Sequence, residues 1–510
     1  MSVLQRYNAL DTIATFQLWQ VLEGRLQEHS YASKAYNQSK GLQSPALYTM
    51  LRGILVDREA VEPLKAQLEA ETIKLEKALD AITKPLGFGF INMASPQQVA
   101  WLIEVLGGTL PRNRKTGSPE TGREALEQLA KADHELAPVA NIILATRDRA
   151  KMLQTLNTDL IDRDGRMRTF YKIAGTVTRR WSSSKNALWT GMNMQNIKRD
   201  EDEKAGHSSL RTIFIADPGM KFLNIDLERA DSWAVGLEVF KTIGDRSYLD
   251  ACSSSDLHTY VSSLVWPELG WTGDPATDRK IAEQFFYRQY DYRFMAKKGG
   301  HGSCYLGKAR TLAIQMKIPV KVAETFQEAY FKAFPGIPKW HLARARDLQT
   351  RGHLTNLLGF RRNFHSRLDA DATLREAIAY LGQSVTAGVI NESIVRIWNL
   401  QMSLPGYFEF LAQVHDSVLV QFPEHLEAVV IDMVSNCMNI PITVTSPSGT
   451  KATYAMPLEV SVGWNWAGLS ASNPDGLKKL KNGAKDERTR TRQPSEKKLA
   501  KLDRRVSSIH

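Results

Sequence analysis

Two apolar runs, far apart in the chain, each place an aspartate where burial is expensive, and any fold of this chain has to satisfy both. In Lys221-Phe-Leu-Asn-Ile-Asp226 the run ends on Asp226 and passes into a helical pattern through Ala234 and Leu237. In Phe410-Leu-Ala-Gln-Val-His-Asp416-Ser-Val-Leu-Val-Gln an aspartate interrupts a strand that is apolar before and after it. An unpaired carboxylate at such a position is costly to desolvate. A divalent cation shared by two acids offsets that cost. Metal-assisted phosphoryl transfer uses oxygen-ligand sites of this kind, with metals about 3.5–4 Å apart, one activating the attacking hydroxyl and one stabilising the leaving group. Taken singly, each acid also reads as a turn residue or as one half of a salt bridge.

Between the two lies Arg293-Phe-Met-Ala-Lys297-Lys-Gly-Gly-His301-Gly-Ser-Cys-Tyr305. Arg293, Lys297, His301 and Tyr305 recur every four residues, which puts them on one helix face. Two cations, an imidazole and a phenol in line suit a nucleotide triphosphate laid lengthwise, the cations against phosphates and the rings against sugar and base. The plainer alternative is a solvated basic face with capping glycines. Glycines at 299, 300 and 302 each weaken a helix by roughly 1 kcal/mol relative to Ala, so either the backbone approaches something closely there or the helix bends.

The rest of the chain frames these runs. With 510 residues it is too long for one simple core, so several lobes are expected. The composition, 43% hydrophobic and 24% charged, is that of an ordinary globular protein. No apolar run of about 18 residues predicts a membrane span, and the first twenty residues read as neither signal nor transit peptide. Cys252, Cys304 and Cys437 match no zinc spacing and fit a reducing compartment. The formal charge of +11 favours a polyanionic partner, but residues 473–510 hold 12 Lys+Arg against 5 Asp+Glu, so most of the excess sits in the tail.

Residues 7–26 carry apolar residues at helical spacing, and a polar stretch at 30–44 reads as a linker. VDREAVEPLKAQLEAETIKLEKALDAI predicts a long amphipathic helix with Asp57 as N-cap and Leu64, Leu68, Leu75 and Leu79 on one face, half of an antiparallel pair. A loop rich in Pro, Gly and basic residues at 111–122 precedes a helical stretch at 123–156. Beyond it, β-rich runs such as MKFLNIDL punctuate long helices, a mixed α/β pattern. The end, from Asn473, reads as a disordered cationic tail, able to add salt-sensitive affinity for DNA.

The order of these motifs resembles family A DNA polymerases, the group of bacterial DNA polymerase I and many phage replicases. Arg293-x3-Lys297-x7-Tyr305 resembles that family's fingers-helix motif, Asp226 opens a match to its first palm motif and Val414-His415-Asp416 to its second. Thr178-Arg-Arg180-Trp-Ser-Ser183, with Asn193-Met-Gln195-Asn196-Ile197, is similar to its primer-binding stretch. Phe334-Pro-Gly336, Gly359-Phe-Arg-Arg362, and Arg375 with Gln383 follow in the family's order, over about residues 45–470. The resemblance implies a mixed α/β, right-hand polymerase fold with an antiparallel palm sheet, a helical thumb and helical fingers. The expected divisions are an exonuclease remnant at 1–30, thumb at 45–155, palm at 156–235 and 366–472, fingers at 236–365 and the tail at 473–510. It further implies two Mg²⁺ ions, replaceable by Mn²⁺, on Asp226 and Asp416. Arg293, Lys297 and His258 would bind the triphosphate, with Lys297 also able to protonate the pyrophosphate. His301 and Tyr305 would face base and sugar, and Asp231 would exclude a ribose 2′-OH. Arg180, Gln195, Asn196, Arg375 and Gln383 would test the minor groove, whose acceptors recur in every correct base pair. His415 would support the primer terminus and Lys151 would grip backbone phosphate.

The departures carry their own expectations. Asp231 stands where the family usually has Glu, and being one methylene shorter predicts weaker exclusion of ribonucleotides. His301 replaces a Phe or Tyr and offers a response of nucleotide binding between pH 6 and 7, or else packs as a neutral ring. Ser417 replaces a common Glu beside Asp416. Tyr7-Asn-Ala-Leu-Asp11 resembles the last motif of a 3′–5′ exonuclease whose earlier acids this sequence lacks, so no proofreading by this chain alone is expected. Either a truncated chain or a split enzyme explains that, and in a split enzyme the helix at 7–26 would dock a separate exonuclease subunit. The partners expected are primer-template DNA and dNTPs. The location expected is the bacterial cytoplasm, in a phage-infected host, with a monomer otherwise. A catalytically silent DNA-binding factor and an RNA polymerase of related fold are the rival readings; Asp226, Asp416, Arg293 and Lys297 disfavour the first, and the stretch around Arg180 disfavours the second.

Overall fold

A five-stranded antiparallel sheet carries both aspartates in this computed structural model, which describes residues 2–113, 116–132, 135–185, 190–197, 209–287 and 290–480. Its strands run in the order Glu409–Val414, Ser417–Pro423, Met220–Leu227, Leu458–Gly463 and Lys478–Lys479. Alternation along the Met220–Leu227 strand explains how the sheet divides the core. Leu223, Ile225 and Leu227 face a cluster that includes Ala234, Leu237 and Val385, while Phe222 faces the other way with Leu411, Leu419 and Trp466.

The N-terminal part is helical. Helix α1 (Val3–Gln27) starts at a capping box between Ser2 and Gln5, buries no residue, and leaves Tyr7, Leu10, Phe16 and Trp19 exposed. Helix α2 (Ser30–Arg52) occupies the stretch expected as a linker. Its polar residues are used: the Arg179 guanidinium donates to the Ala35 carbonyl, Gln38 Oε1 and Ser39 Oγ, while Leu42 and Ala46 enter the core. Helix α3 (Arg58–Thr83) is capped as expected, Asp57 accepting from the Glu59 and Ala60 amides at 3.0 and 3.1 Å. Leu64, Leu68 and Leu79 are buried, with Leu75 half-buried at the margin.

After α4 (Pro96–Val105), the helical stretch expected at 123–156 is two helices, α5 (Arg123–Ala132) and α6 (Ala137–Thr155), with Pro138 in the first turn of the second. Leu64 and Leu68 share a cluster with Leu156, and Leu79 shares one with Val139 and Ile143, so α3 and α6 run antiparallel. Arg149 Nε ties to Glu71 across that pair at 3.0 Å.

Helix α7 (Ala230–Ile243) leaves the central strand directly, followed by α8 (Ser247–Cys252), α9 (Leu257–Val265), α10 (Pro275–Ala282), α11 (Tyr292–Cys304), α12 (Ala309–Met316), α13 (Val320–Ala333) and α14 (Gly336–Arg351). The long α15 (Asp371–Ser403) buries Ile378, Leu381, Val385 and Ile394 under the sheet, and α16 (Glu427–Met438) follows the hairpin. All three cysteines are free. Among the described residues no helix is long and apolar enough to cross a membrane.

The start of the expected tail is ordered. Lys478–Lys479 pair with Ser461 and Val462 at the sheet edge, and the Asn473 amide nitrogen bonds the Gly468 carbonyl and Asn465 Oδ1, both at 3.0 Å. The apolar residues Leu477 and Leu480, packed against the core, account for the difference from the charge-based reading. Residues 481–510 lie outside the described residues.

Candidate active site

The two acids meet at one end of the sheet. Asp226 lies near the end of its strand, and Asp416 sits in the tight turn joining the Glu409–Val414 and Ser417–Pro423 strands, so it ends a strand rather than interrupting one. Ser417 is directly opposite Asp226, and the Leu227 amide donates to the Asp416 carbonyl at 3.0 Å. That register brings acids from distant parts of the chain within one residue of each other across adjacent strands. The turn uses a left-handed His415, at φ 54°. Gln413 Nε2 donates to the His415 carbonyl, and Gln195 Nε2 in turn donates to Gln413 Oε1 at 2.7 Å and to the Trp181 carbonyl at 3.3 Å. The Tyr171 hydroxyl bonds the Gln413 carbonyl at 3.0 Å. Gln195 therefore acts here as a brace for the turn that presents Asp416, beyond the groove contact the sequence suggested.

Arg180 joins Asp416 to a further carboxylate. Its Nη2 lies 3.3 Å from Asp231 Oδ1 and 3.6 Å from Asp416 Oδ1. Asp231, in the first turn of α7, also accepts from the Thr386 hydroxyl at 2.9 Å, so α15 anchors it from the opposite side. Sequence reading missed Thr386, because nothing local marks a threonine in a long buried helix.

Helix α11 faces this end of the sheet. Arg293 binds Asp256 twice, through Nε at 2.9 Å and Nη2 at 3.2 Å. Asp256 is also the N-cap of α9, accepting from the His258 and Thr259 amides. Burial works to raise the Asp256 pKa, but the Arg293 guanidinium and the Thr259 bonds hold it well below the usual carboxylate range. One carboxylate thus holds the Arg293 guanidinium and, through the His258 and Thr259 amides, the first turn of α9. Burial, with Arg293 adding to it, lowers the His258 pKa to about 4, so the imidazole is neutral near pH 7. Lys297 is exposed one turn further along α11.

The glycines of α11 mark a close approach. A Cβ on Gly299 would stand 2.5 Å from the Phe326 ring, and one on Gly300 would be 3.1 Å from Tyr330, both on α13. The His301 and Tyr305 rings meet at a tilt of 54°, with centroids 4.8 Å apart. The His301 ring keeps an open edge although protein crowds it. That loss of water lowers its pKa, with Asp231 pulling the other way. The Tyr305 hydroxyl is buried with no hydrogen-bond partner among the described residues, packed where a Cβ on Gly382 of α15 would come within 2.4 Å. Gln383, the neighbour of Gly382, is half-buried. Asn196, Arg375 and Lys151 are exposed; Lys151 sits on α6 in the α3–α6 lobe, apart from the acids.

The model of DNA polymerase family A matches residues 58–468 of this chain. DNA polymerase I of Rhizobium leguminosarum is 26% identical over 468 residues, covering 87% of this chain and 42% of that protein. The thermostable DNA polymerase I of Thermus filiformis is 26% identical, covering 81% and 46%. The chain thus spans less than half the length of these relatives. The POL domain of Pol1 from M. smegmatis, solved in complex with DNA primer-template and dNTP, superposes with a TM-score of 0.72 at 20% identity, covering 90% of this chain and 75% of that one. At that identity the likeness speaks for the fold.

Proposed function

The chain belongs to DNA polymerase family A, and from that membership we propose that it extends a primer on a DNA template, adding deoxynucleotides to the 3′-hydroxyl. The observation that carries the reading is the register placing Asp226 and Asp416 at one sheet end, with Tyr305 at the end of α11 near enough to feel the charges of Asp231 and Asp416.

Members of the family use divalent metal ions, and the residues here fit one. Among the described residues no group of three or more His, Cys, Asp or Glu could hold a metal. Two carboxylates suit a hard cation that completes its oxygen shell with substrate phosphates and water, the habit of Mg²⁺. Asp226 and Asp416 would hold a pair of Mg²⁺, with Mn²⁺ able to replace them. Bound there, the ions would lower the pKa of the attacking hydroxyl and neutralise charge on the departing pyrophosphate.

The other roles belong to the chain itself. Arg293, aligned by Asp256, and Lys297 bind the triphosphate, and neutral His258 donates one hydrogen bond to it. Lys297 is the candidate donor of a proton to pyrophosphate. His301 and Tyr305 flank base and sugar, and Asp231 limits the space for a 2′-OH. Arg180 and Gln383 test the primer-terminal pair, His415 supports the primer end, and Asn196, Arg375 and Lys151 contact the duplex. On this reading the α3–α6 lobe is the thumb, the five-stranded sheet the palm, and α8–α14 the body of the fingers.

Primer extension with Mg²⁺ and four dNTPs tests this, with Asp226→Ala and Asp416→Ala alongside. The parent should extend the primer and both variants should lose at least about a thousandfold in rate, a loss in the range for removing key electrostatic groups. A folded, DNA-binding parent that extends nothing would leave a silent DNA-binding factor as the better account.

A further inference from the structure

We propose that Arg279, on α10, is an additional contact for the triphosphate of the incoming nucleotide, held in line with Arg293 by the carboxylate the two share. This rests on the polymerase reading above and assigns a residue that the sequence motifs leave out.

Arg279 Nη1 donates to Asp256 Oδ2 at 2.9 Å, and Arg293 Nε donates to the same oxygen at 2.9 Å. Two guanidiniums on one oxygen atom stand within a single phosphate's reach of each other. Neutralising Asp256 does not require the second. Arg293 already binds it at two points, Thr259 adds its hydroxyl at 2.9 Å, and the α9 backbone caps it. Nor does Arg279 need Asp256 for a partner of its own, since Glu283 accepts from its Nε at 2.5 Å one turn along α10. An ordinary exposed arginine would stop at that intrahelical pair, which is worth little.

What the arrangement achieves is a surplus of positive charge with fixed geometry. Asp256 cancels one of the two guanidiniums and keeps them from repelling each other while the site holds no nucleotide. Lys297 and Arg229 add their fields around His258. Arg229 is fixed by the Ser254 carbonyl at 2.8 Å and Glu228 at 2.8 Å. The Arg279 side chain is 45% exposed, and among the described residues its Nη2 has no hydrogen bond, so it can turn a free edge to phosphate without losing either carboxylate. Arginine rather than lysine suits this, because its planar fork binds phosphate oxygens two at a time.

The test is steady-state kinetics on a primed template with Mg²⁺, comparing the parent with Arg279→Ala, Arg279→Lys and Glu283→Gln. Arg279→Ala should raise KM for dNTP about tenfold, the scale of one charged hydrogen bond, and weaken inhibition by inorganic pyrophosphate by a similar factor. Its kcat should stay within about twofold. Arg279→Lys should recover part of the loss, and Glu283→Gln should leave KM near that of the parent. KM and pyrophosphate inhibition unchanged in Arg279→Ala, with or without a fall in Tm, would reduce Arg279 to a surface ion pair while the polymerase reading stood. A fall in kcat at constant KM would also overturn triphosphate contact. A parent that extends no primer would remove both readings together.

Discussion

Arg180 donates through Nη2 to Oδ1 of Asp231 at 3.3 Å, tying the residue expected at the primer terminus to the residue expected to gate the sugar. Thr386 holds the same carboxylate oxygen from α15 at 2.9 Å. The shorter acid is thus held from two sides. Asp231→Ala is expected to lower discrimination against ribonucleotides about tenfold, and Thr386→Val about threefold, from the loss of one orienting hydrogen bond. Competition between dNTPs and NTPs on one template reads both. Ratios equal to the parent's in both variants would remove Asp231 from sugar selection.

The buried Tyr305 hydroxyl, which has no hydrogen-bond partner among the described residues, makes a second prediction. Leaving such a group without a bond costs about 1–3 kcal/mol, so Tyr305→Phe should stabilise the fold by an amount near the lower end of that range. Denaturant unfolding measures it. A lower midpoint would mean that the hydroxyl finds a partner in solution.

Two histidines set an acid limit on stability. Burial lowers the His341 pKa to about 4, against the pull of its 2.8 Å bond to the Cys304 carbonyl, and His258 is lowered to a similar value. Because each folded-state value lies below the unfolded one of 6.5, the unfolded chain takes up protons first as pH falls. Their contribution is intact above about pH 6.5 and is lost progressively down to about pH 4, by at most about 1.4 kcal/mol per pH unit for each group. His341→Gln keeps a donor for the Cys304 carbonyl and should lose less stability than the parent between pH 7 and 5. Equal losses in urea titrations at the two pH values would clear His341 of this role.

Away from the active site, Arg52 joins α2 to the sheet. It binds Asp217 at 2.5 Å and Glu409 at 2.8 Å, and Gln421 Nε2 donates to the same Asp217 carboxylate at 3.0 Å. Arg166 also reaches Asp217, at 2.9 Å. Arg52→Met keeps most of the stem packing but leaves two part-buried carboxylates short of a cation. A loss of about 1–3 kcal/mol is expected, below the full cost of a broken buried pair because the acids keep some water and Asp217 keeps Arg166. A change under about 0.5 kcal/mol would class the network as a screened surface feature.

Periodicity and spacing had made much of this legible. The α3 helix, its Asp57 cap and the Met220–Leu227 strand follow from local pattern, since a cap needs only neighbouring amides and a strand declares itself by its apolar run. The glycines of α11 signalled a close approach without saying to what. Where local reading went wrong, distant partners were responsible. Residues 30–44 looked like a linker because their polar groups serve Arg179, more than a hundred residues away, and residues 473–480 looked disordered because their charge hid two packed leucines.

By itself, then, the sequence determined which side chains could do chemistry: Asp226, Asp416, Arg293 and Lys297 carry recognisable types at recognisable spacing. The tertiary structure decided how they are held. Sheet register sets Asp416 beside Asp226, α15 brings Thr386 to Asp231, and the cap of α9 places Asp256 between Arg293 and Arg279. The physical reason is that a residue's chemistry is written at its own position, whereas hydrogen bonds and packing across the fold depend on which elements become neighbours, and no local window contains that information.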